Sequence, residues 1–169
     1  MARTPTLRHV DPDAPRSRLY LAVAKFSATD TAGWISRHLG WKVDPFLLRI
    51  SNGRYSTATP LAAALLETTG ARSGQRRRTA TLYFHDGEKV TIIPSYRGEP
   101  QHPAWYHNIK SDPNVTFGGL PFRAAVVTDE DERRRLWTLA GRVYPAFAEF
   151  RERASAAGRE IPIVQLTRR

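Results

Sequence analysis

Apolar residues change their period along this chain. Between Arg16 and Leu39 they recur at helical spacing: Leu19, Val23 and Phe26 follow at four and three, and Ile35 and Leu39 repeat the step after a break at Asp30–Gly33. The pattern predicts an N-terminal helical segment over 16–42, in two pieces joined near Thr29–Asp30. Trp34 and Trp41 add large apolar area beside Arg37, His38 and Lys42. That mixture fits a helix packed on the core, or an amphipathic flap touching lipid or closing over a lipophilic ligand. Residues 1–15 are polar and proline-bearing and predict a loosely ordered arm.

From Leu61 the pattern becomes strand-like. Leu61–Thr69 ends at Gly70, and Thr79–His85 runs through Asp86-Gly87, a hairpin signal, into Glu88–Pro94. A short helix is expected near Ala104–Lys110. Asn114–Phe117 and Phe122–Val127 flank Gly118-Gly119, a second hairpin signal. Thr128 followed by four acids reads as an N-cap and first turn, continuing through Leu136 and Leu139. Another helix starts around Tyr144, with Phe147 and Phe150 three apart, and Ile161–Leu166 reads as a closing strand. Antiparallel hairpins with few βαβ units argue for an α+β fold with a small, mostly antiparallel barrel and flanking helices, a single domain over 16–169.

Composition narrows the classes. At 169 residues and 41% hydrophobic, the chain can bury a core and is not disordered. The absence of cysteine excludes disulfides, thiol nucleophiles and Cys-ligated metal. No apolar run reaches the ~20 residues of a membrane span, and charge and proline occupy the place of a secretory apolar stretch, so a cytoplasmic protein is expected. The net charge of +10 rests on 22 arginines and four lysines. Heavy arginine use is equally a mark of base composition, but the charge still calls for an acidic partner: nucleic acid, an anionic membrane face or a polyanionic small molecule.

Common catalytic motifs are missing: no Walker loop, no G-x-G-x-x-G after a strand, no G-x-S-x-G, no H-E-x-x-H. The five histidines form no i, i+4 pair, and no metal site is expected. Three stretches carry chemistry instead. Thr68–Arg78 is a loop with four arginines, two glycines and hydroxyls, and no acid occurs from Thr68 to His85. Glycines let amides turn toward an anion and arginines supply forked donors, which suits a phosphate-bearing ligand, while a solvated basic hairpin tip has the same composition. Ser95–Asn108 leaves a strand end and brings Trp105, Tyr106 and Asn108 onto a helix start, faces and polar tips that suit a flat heterocycle or ordinary core. Tyr144, Phe147 and Phe150 share a helix face, a packing surface or a substrate wall.

In order and spacing these parts resemble the deazaflavin-dependent nitroreductase family, small split β-barrel oxidoreductases that use coenzyme F420. The resemblance runs from about Leu65 to Leu166. It is carried by Thr68-Thr69-Gly70-x-Arg72-Ser73-Gly74, Leu82-Tyr83-Phe84 with Asp86-Gly87, Ser95, Pro103-x-Trp105-Tyr106-x-Asn108, Tyr144-Pro145 and Ile161-Pro162-Ile163. It implies that Arg72, Ser73, Gly74 and Gln75, with Arg77 or Arg78, hold the coenzyme's phosphate and acidic tail. Ile93, Pro94, Ser95 and Tyr96 with Trp105 and Asn108 would line the deazaflavin, and Tyr83, Ser95 and Tyr144 would face the acceptor. The implied reaction is hydride transfer from the reduced deazaflavin to a quinone, an activated enone or a nitro compound, with Ser95 or Tyr144 donating to the developing anion. Phe147 and Phe150 stand where part of that family has tyrosines, and phenylalanine donates no proton, which weakens the case for nitro reduction.

Two alternatives use the same residues. FMN on the same barrel would need the same arginine loop for its phosphate. A basic nucleic-acid-binding hairpin is a different class, disfavoured because the aromatics do not interleave with the basic residues, so no nucleic-acid partner is expected. Peripheral membrane contact through residues 16–42 is compatible with the enzyme reading and would bring it to lipid-soluble acceptors, leaving the enzyme cytoplasmic or membrane-associated. Oligomeric state is open.

Overall fold

A computed structural model describes residues 7–27, 29, 41–51, 56 and 59–169. Six strands, β1 (Ala63–Thr69), β2 (Arg76–Asp86), β3 (Lys89–Ile92), β4 (Asn114–Phe117), β5 (Leu120–Val126) and β6 (Val164–Arg168), pair antiparallel throughout and close on themselves in the order β1-β2-β3-β6-β5-β4. Leu66 opposite Phe117 is the register point at which β1 meets β4 and the barrel shuts. Closure leaves no free sheet edge, which a single sheet with this many strands would otherwise expose. Both glycine hairpin signals hold. Gly87 has φ +59 at the first position of a two-residue turn, and Gly118 and Gly119 have φ +56 and +83, the pair of positive values a tight hairpin demands.

The barrel interior is filled by Leu66, Ile92, Phe117 and Leu166, none of them exposed. Among the described residues five α-helices lie outside it: α1 (Arg18–Ser27), α2 (Trp41–Ile50), α3 (Ala104–Ser111), α4 (Glu130–Val143) and α5 (Phe147–Ala156). α4 and α5 bury Leu136, Ala140, Phe150 and Ala154. The fold is the small antiparallel barrel with flanking helices that the hairpin pattern implied.

Several boundaries differ, each for a local reason. β2 begins at Arg76, not Thr79, so three arginines expected in the loop stand in a ladder, where Arg76 and Arg78 lie 3.1 and 3.4 Å from the Glu67 carboxylate on β1. The N-cap of α4 is Asp129 rather than Thr128: its carboxylate accepts from the Glu132 amide at 2.8 Å, a cap worth about 1 kcal/mol. β6 starts at Val164 because Pro162 cannot donate to a ladder, although Ile161 and Ile163 are buried. α2 escaped the pattern, its period being interrupted by Pro45. The second N-terminal helical piece, with Trp34, Ile35, Arg37, His38 and Leu39, lies outside the described residues.

The N-terminal arm docks on the barrel at Val10, while Arg8, His9, Asp11, Asp13 and Pro15 are exposed. Val10 is buried, its amide donates to His85 Nδ1 at 3.1 Å, and its carbonyl accepts from the His85 amide at 2.8 Å. An irregular stretch thereby satisfies its backbone against the end of β2. α1 continues inward with Tyr20 and Ala24, both buried.

Candidate functional site

The glycine–arginine loop between β1 and β2 is folded by its own backbone. Gly70 donates to the Gln75 carbonyl and Gly74 to the Gly70 carbonyl, both at 2.8 Å, with Gly74 at φ +64. A side chain at Gly70 would meet Ser73 Oγ at 2.6 Å and the Gln75 carbonyl at 3.1 Å, so the cradle exists because that position has no Cβ. Ser73 Oγ accepts from the Gln75 amide at 3.3 Å and from Arg77 at 3.4 Å. Every residue from Ala71 to Arg78 is exposed, and Arg72 has no ion-pair partner among the described residues.

Alternation along β2 separates the arginines. Arg76 and Arg78 share a face with Glu67, whereas Arg77 stands opposite Thr68 on the other face, beside Ser73. Thr68 is buried and accepts from Asn108 Nδ2 at 2.9 Å, while Asn108 Oδ1 accepts from the Ala71 amide at 3.0 Å. Asn108 thus ties the loop to α3, whose first turn carries the buried Trp105. Arg72, Ser73, Gly74, Gln75, Arg77, Asn108 and Trp105 gather at this end of the barrel, and Arg78 faces away toward Glu67.

The other cluster is the turn after β3. Ile93 and Pro94 are buried, Ser95 is half-buried and Tyr96 is exposed. Tyr96 and Arg97 have φ +45 and +56, the left-handed region, at a cost on the order of 1–2 kcal/mol each. Gly98, at φ +81, sits against α5 so closely that a Cβ would meet Phe150 O at 2.7 Å. Arg97 donates to the Thr29 carbonyl at 2.7 Å and lies over the Phe150 ring.

Behind this turn is Arg159, which sequence reasoning missed. It is 6% exposed, and its guanidinium donates to the Pro94 and Ser95 carbonyls at 3.1 and 2.5 Å. Desolvation lowers its pKa, partly offset by Glu99. The available signal was Gly158 after an alanine-rich helix end, a helix-stop pattern.

Tyr83, Ile93 and Tyr144 meet on the wall of one mostly apolar cavity, with Tyr20, Phe84 and Phe147 among its other lining residues. The Tyr83 hydroxyl already donates to the Arg8 carbonyl at 2.8 Å, and burial pushes its pKa up to about 12 against a smaller lowering by Arg8. Tyr144 stacks edge-on against Phe147 and Phe150, at 5.0 and 6.0 Å between ring centroids. The Tyr20 hydroxyl donates to the Val143 carbonyl at 2.6 Å, pinning the residue before Tyr144. Thr91 Oγ1, fully buried on the same wall, has no hydrogen-bond partner among the described residues. Tyr20 and Thr91 lay outside every motif.

Comparison with known proteins shows the family. Residues 46–168 match the pattern of the F420H(2)-dependent quinone reductase family. An F420H(2)-dependent quinone reductase of Mycobacterium tuberculosis (strain ATCC 25618 / H37Rv) is 34% identical over 151 residues, covering 83% of this chain and 99% of that protein. A solved F420-H2 dependent reductase (FDR-A) is 32% identical over 62% of this chain and 92% of its own, with a TM-score of 0.53. A solved domain-swapped dimer is 27% identical over 73% of this chain and 96% of its own, with a TM-score of 0.54.

Proposed function

The chain belongs to the F420H(2)-dependent quinone reductase family, and from that premise we propose that it binds reduced coenzyme F420 between the glycine–arginine loop and the Ile93–Tyr96 turn and reduces a lipophilic quinone beside that turn. The observation that carries this is the anion cradle at Gly70–Gln75, tied to α3 through Asn108, which accepts from the Ala71 amide and donates to Thr68. The donor set fits the coenzyme: a cradle without a Cβ at Gly70, an exposed Arg72, and Arg77 with Ser73 on the face of Thr68 suit a phosphodiester and an acidic tail.

When bound, the reduced coenzyme supplies the hydride. The chain does the rest. Arg72 and Arg77 hold the anionic part, with Ser73, Gly74 and Gln75 shaping the loop and Asn108 fixing it to α3. Trp105 and the backbone of Ile93, Pro94, Ser95 and Tyr96 line the flat ring. Ser95 donates a hydrogen bond to the acceptor oxygen as it gains negative charge, and the apolar wall keeps water out. Tyr144 is the second candidate donor. Tyr83 packs the wall, since its hydroxyl is engaged by Arg8. Phe147 on that wall offers no proton, which favours a quinone or enone over a nitro compound.

Fluorescence titration with F420 and FMN side by side tests this. Saturable binding of F420 alone, followed by reduction of a short-chain quinone by its reduced form, is the expected result. Binding of FMN alone would keep the barrel and replace the coenzyme.

The lipophilic acceptor gives weight to a second feature. Leu19, Leu21 and Phe26 on α1 and Phe46 and Ile50 on α2 are exposed large apolar residues, with Arg18 and Lys25 on α1 beside them. No helix among the described residues is long and apolar enough to cross a membrane, so contact would be interfacial. Flotation with anionic vesicles should recover the wild type and release Leu19→Glu/Phe26→Glu; equal recovery of both would remove the idea. Residues 16–169 act as one unit in this proposal, α1 being docked through Tyr20 and Ala24.

A further inference from the structure

Arg159 carries a charge into the interior without a carboxylate to meet it. Among the described residues no Asp or Glu lies within ion-pair distance of it, and Nε has no hydrogen-bond partner. Its partners are two consecutive carbonyls, Pro94 at 3.1 Å and Ser95 at 2.5 Å, and His102 Nδ1 at 3.3 Å from Nη1. Burying a cation that only Glu99, beyond ion-pair distance, partly offsets is costly, and packing alone would be served better by an apolar side chain. Its placement is built in. Gly158 at φ +72 donates to the Ser155 carbonyl and Arg159 to the Ala154 carbonyl at 2.8 Å, a helix ending that turns the chain back under the β3 turn.

Holding both carbonyls fixes the two peptide planes on either side of Ser95. In a trans peptide the N–H points away from the C=O, so the Tyr96 amide is directed to the face of the turn opposite Arg159. Tyr96 and Arg97, next in the chain, stand at positive φ, and the Gly98 amide also donates to the Ser95 carbonyl at 2.9 Å. Guanidinium can only donate, so His102 Nδ1 must be unprotonated and the ring must carry its proton on Nε2. Around His102 stand Arg159, His107 and Lys110, all unfavourable to its protonation, along with the Tyr106 ring; burial, the largest cause, and these charges lower its pKa from 6.5.

We propose that Arg159 is the positioning residue of the coenzyme-facing turn, presenting the Ser95 hydroxyl and the Tyr96 amide by gripping the Pro94 and Ser95 carbonyls from behind, with neutral His102 as its third acceptor. This rests on the coenzyme reading above. Arg159→Lys keeps the charge but replaces the planar fork by a point donor.

Hydrogen exchange, which needs no coenzyme, should show the Gly98 and Glu99 amides, which donate to the Ser95 and Tyr96 carbonyls, exchanging at least about 10-fold faster in Arg159→Lys than in wild type, with the β4–β5 hairpin unchanged. Coenzyme Kd should rise about 10-fold, and Ser95→Ala should cost little further turnover in the Arg159→Lys background, because a misplaced hydroxyl has little left to lose. Wild-type affinity should fall as pH drops through the lowered pKa of His102. His102→Asn, whose amide oxygen accepts at any pH, should abolish that acid limb. Unchanged exchange in Arg159→Lys, an undiminished Ser95→Ala effect in its background, or an intact acid limb in His102→Asn would each overturn the proposal. Faster exchange in a protein that binds no F420 would retain the positioning of the turn and discard the coenzyme reading.

Discussion

The loop at Gly70–Gln75 and the turn at Pro94–Gly98 flank the proposed coenzyme groove and are built in opposite ways. The loop is exposed along its whole length beyond Gly70, Arg72 stands in water, and its shape comes from hydrogen bonds among its own amides and Ser73. The turn has a buried cation behind it, a glycine pressed onto α5, and two residues held in an unfavourable conformation. A charged, flexible tail needs attraction more than exact placement, and exposed arginines supply it at little folding cost. A ring that must transfer a hydride needs a fixed seat, and that rigidity must come from packing.

The contrast is broken most forcefully at Gly98. Gly98→Ala forces a Cβ to within 2.6 Å of Arg153 Cβ and 2.7 Å of Phe150 O at a φ of +81. Strain and overpacking together should cost about 3 kcal/mol, a loss of roughly 10 °C in melting temperature read by thermal denaturation. Gly74→Ala, at φ +64 with nothing within 4 Å of its added Cβ, should cost only about 1 kcal/mol. Equal losses would mean that the turn is no more rigidly held than the loop.

Next comes Ser95→Ala. If the turn presents a donor to the reacting oxygen, turnover should fall about 10- to 100-fold while coenzyme Kd changes less than about threefold. An equal loss in both would move Ser95 from chemistry to binding. Arg72→Ala should do the reverse, raising Kd about 10-fold in low salt with kcat nearly intact, and the difference should shrink at high ionic strength. A salt-independent defect would mean that Arg72 shapes the loop instead of attracting the tail.

The same contrast explains what could be read from sequence. Hairpins at Gly87 and Gly118-Gly119 were legible because positive φ leaves a residue-type mark, and the exposed loop was legible because its chemistry is local. Asn108 was marked by its spacing from Trp105, which follows from sharing a helix face. Arg159 was not legible: it lies 64 residues from Ser95, and its partners are backbone carbonyls, which carry no residue identity. Tyr20 is hidden for the same reason, acting on Val143 through a carbonyl 123 residues away. The start of β2 was misplaced because three consecutive arginines resemble a solvated tip until the neighbouring strand supplies Glu67. Long-range contacts to the main chain are the part of a site that a single sequence conceals best.

The smallest effect expected separates two adjacent arginines. Arg77 faces Ser73 and the Thr68 side of the ladder, whereas Arg78 faces Glu67. If Arg77 makes the phosphate contact, Arg77→Ala should raise coenzyme Kd about 10-fold, comparable to Arg72→Ala. Glu67→Gln frees Arg76 and Arg78 without moving Arg77, and exposed pairs of this kind contribute under about 1 kcal/mol, so Kd should shift by less than about twofold. A clear tightening in Glu67→Gln, with Arg77→Ala inert, would assign the phosphate to Arg78 and place the coenzyme across the opposite face of β2. The groove would then lie away from Asn108, and the loop and the turn would no longer serve one ligand.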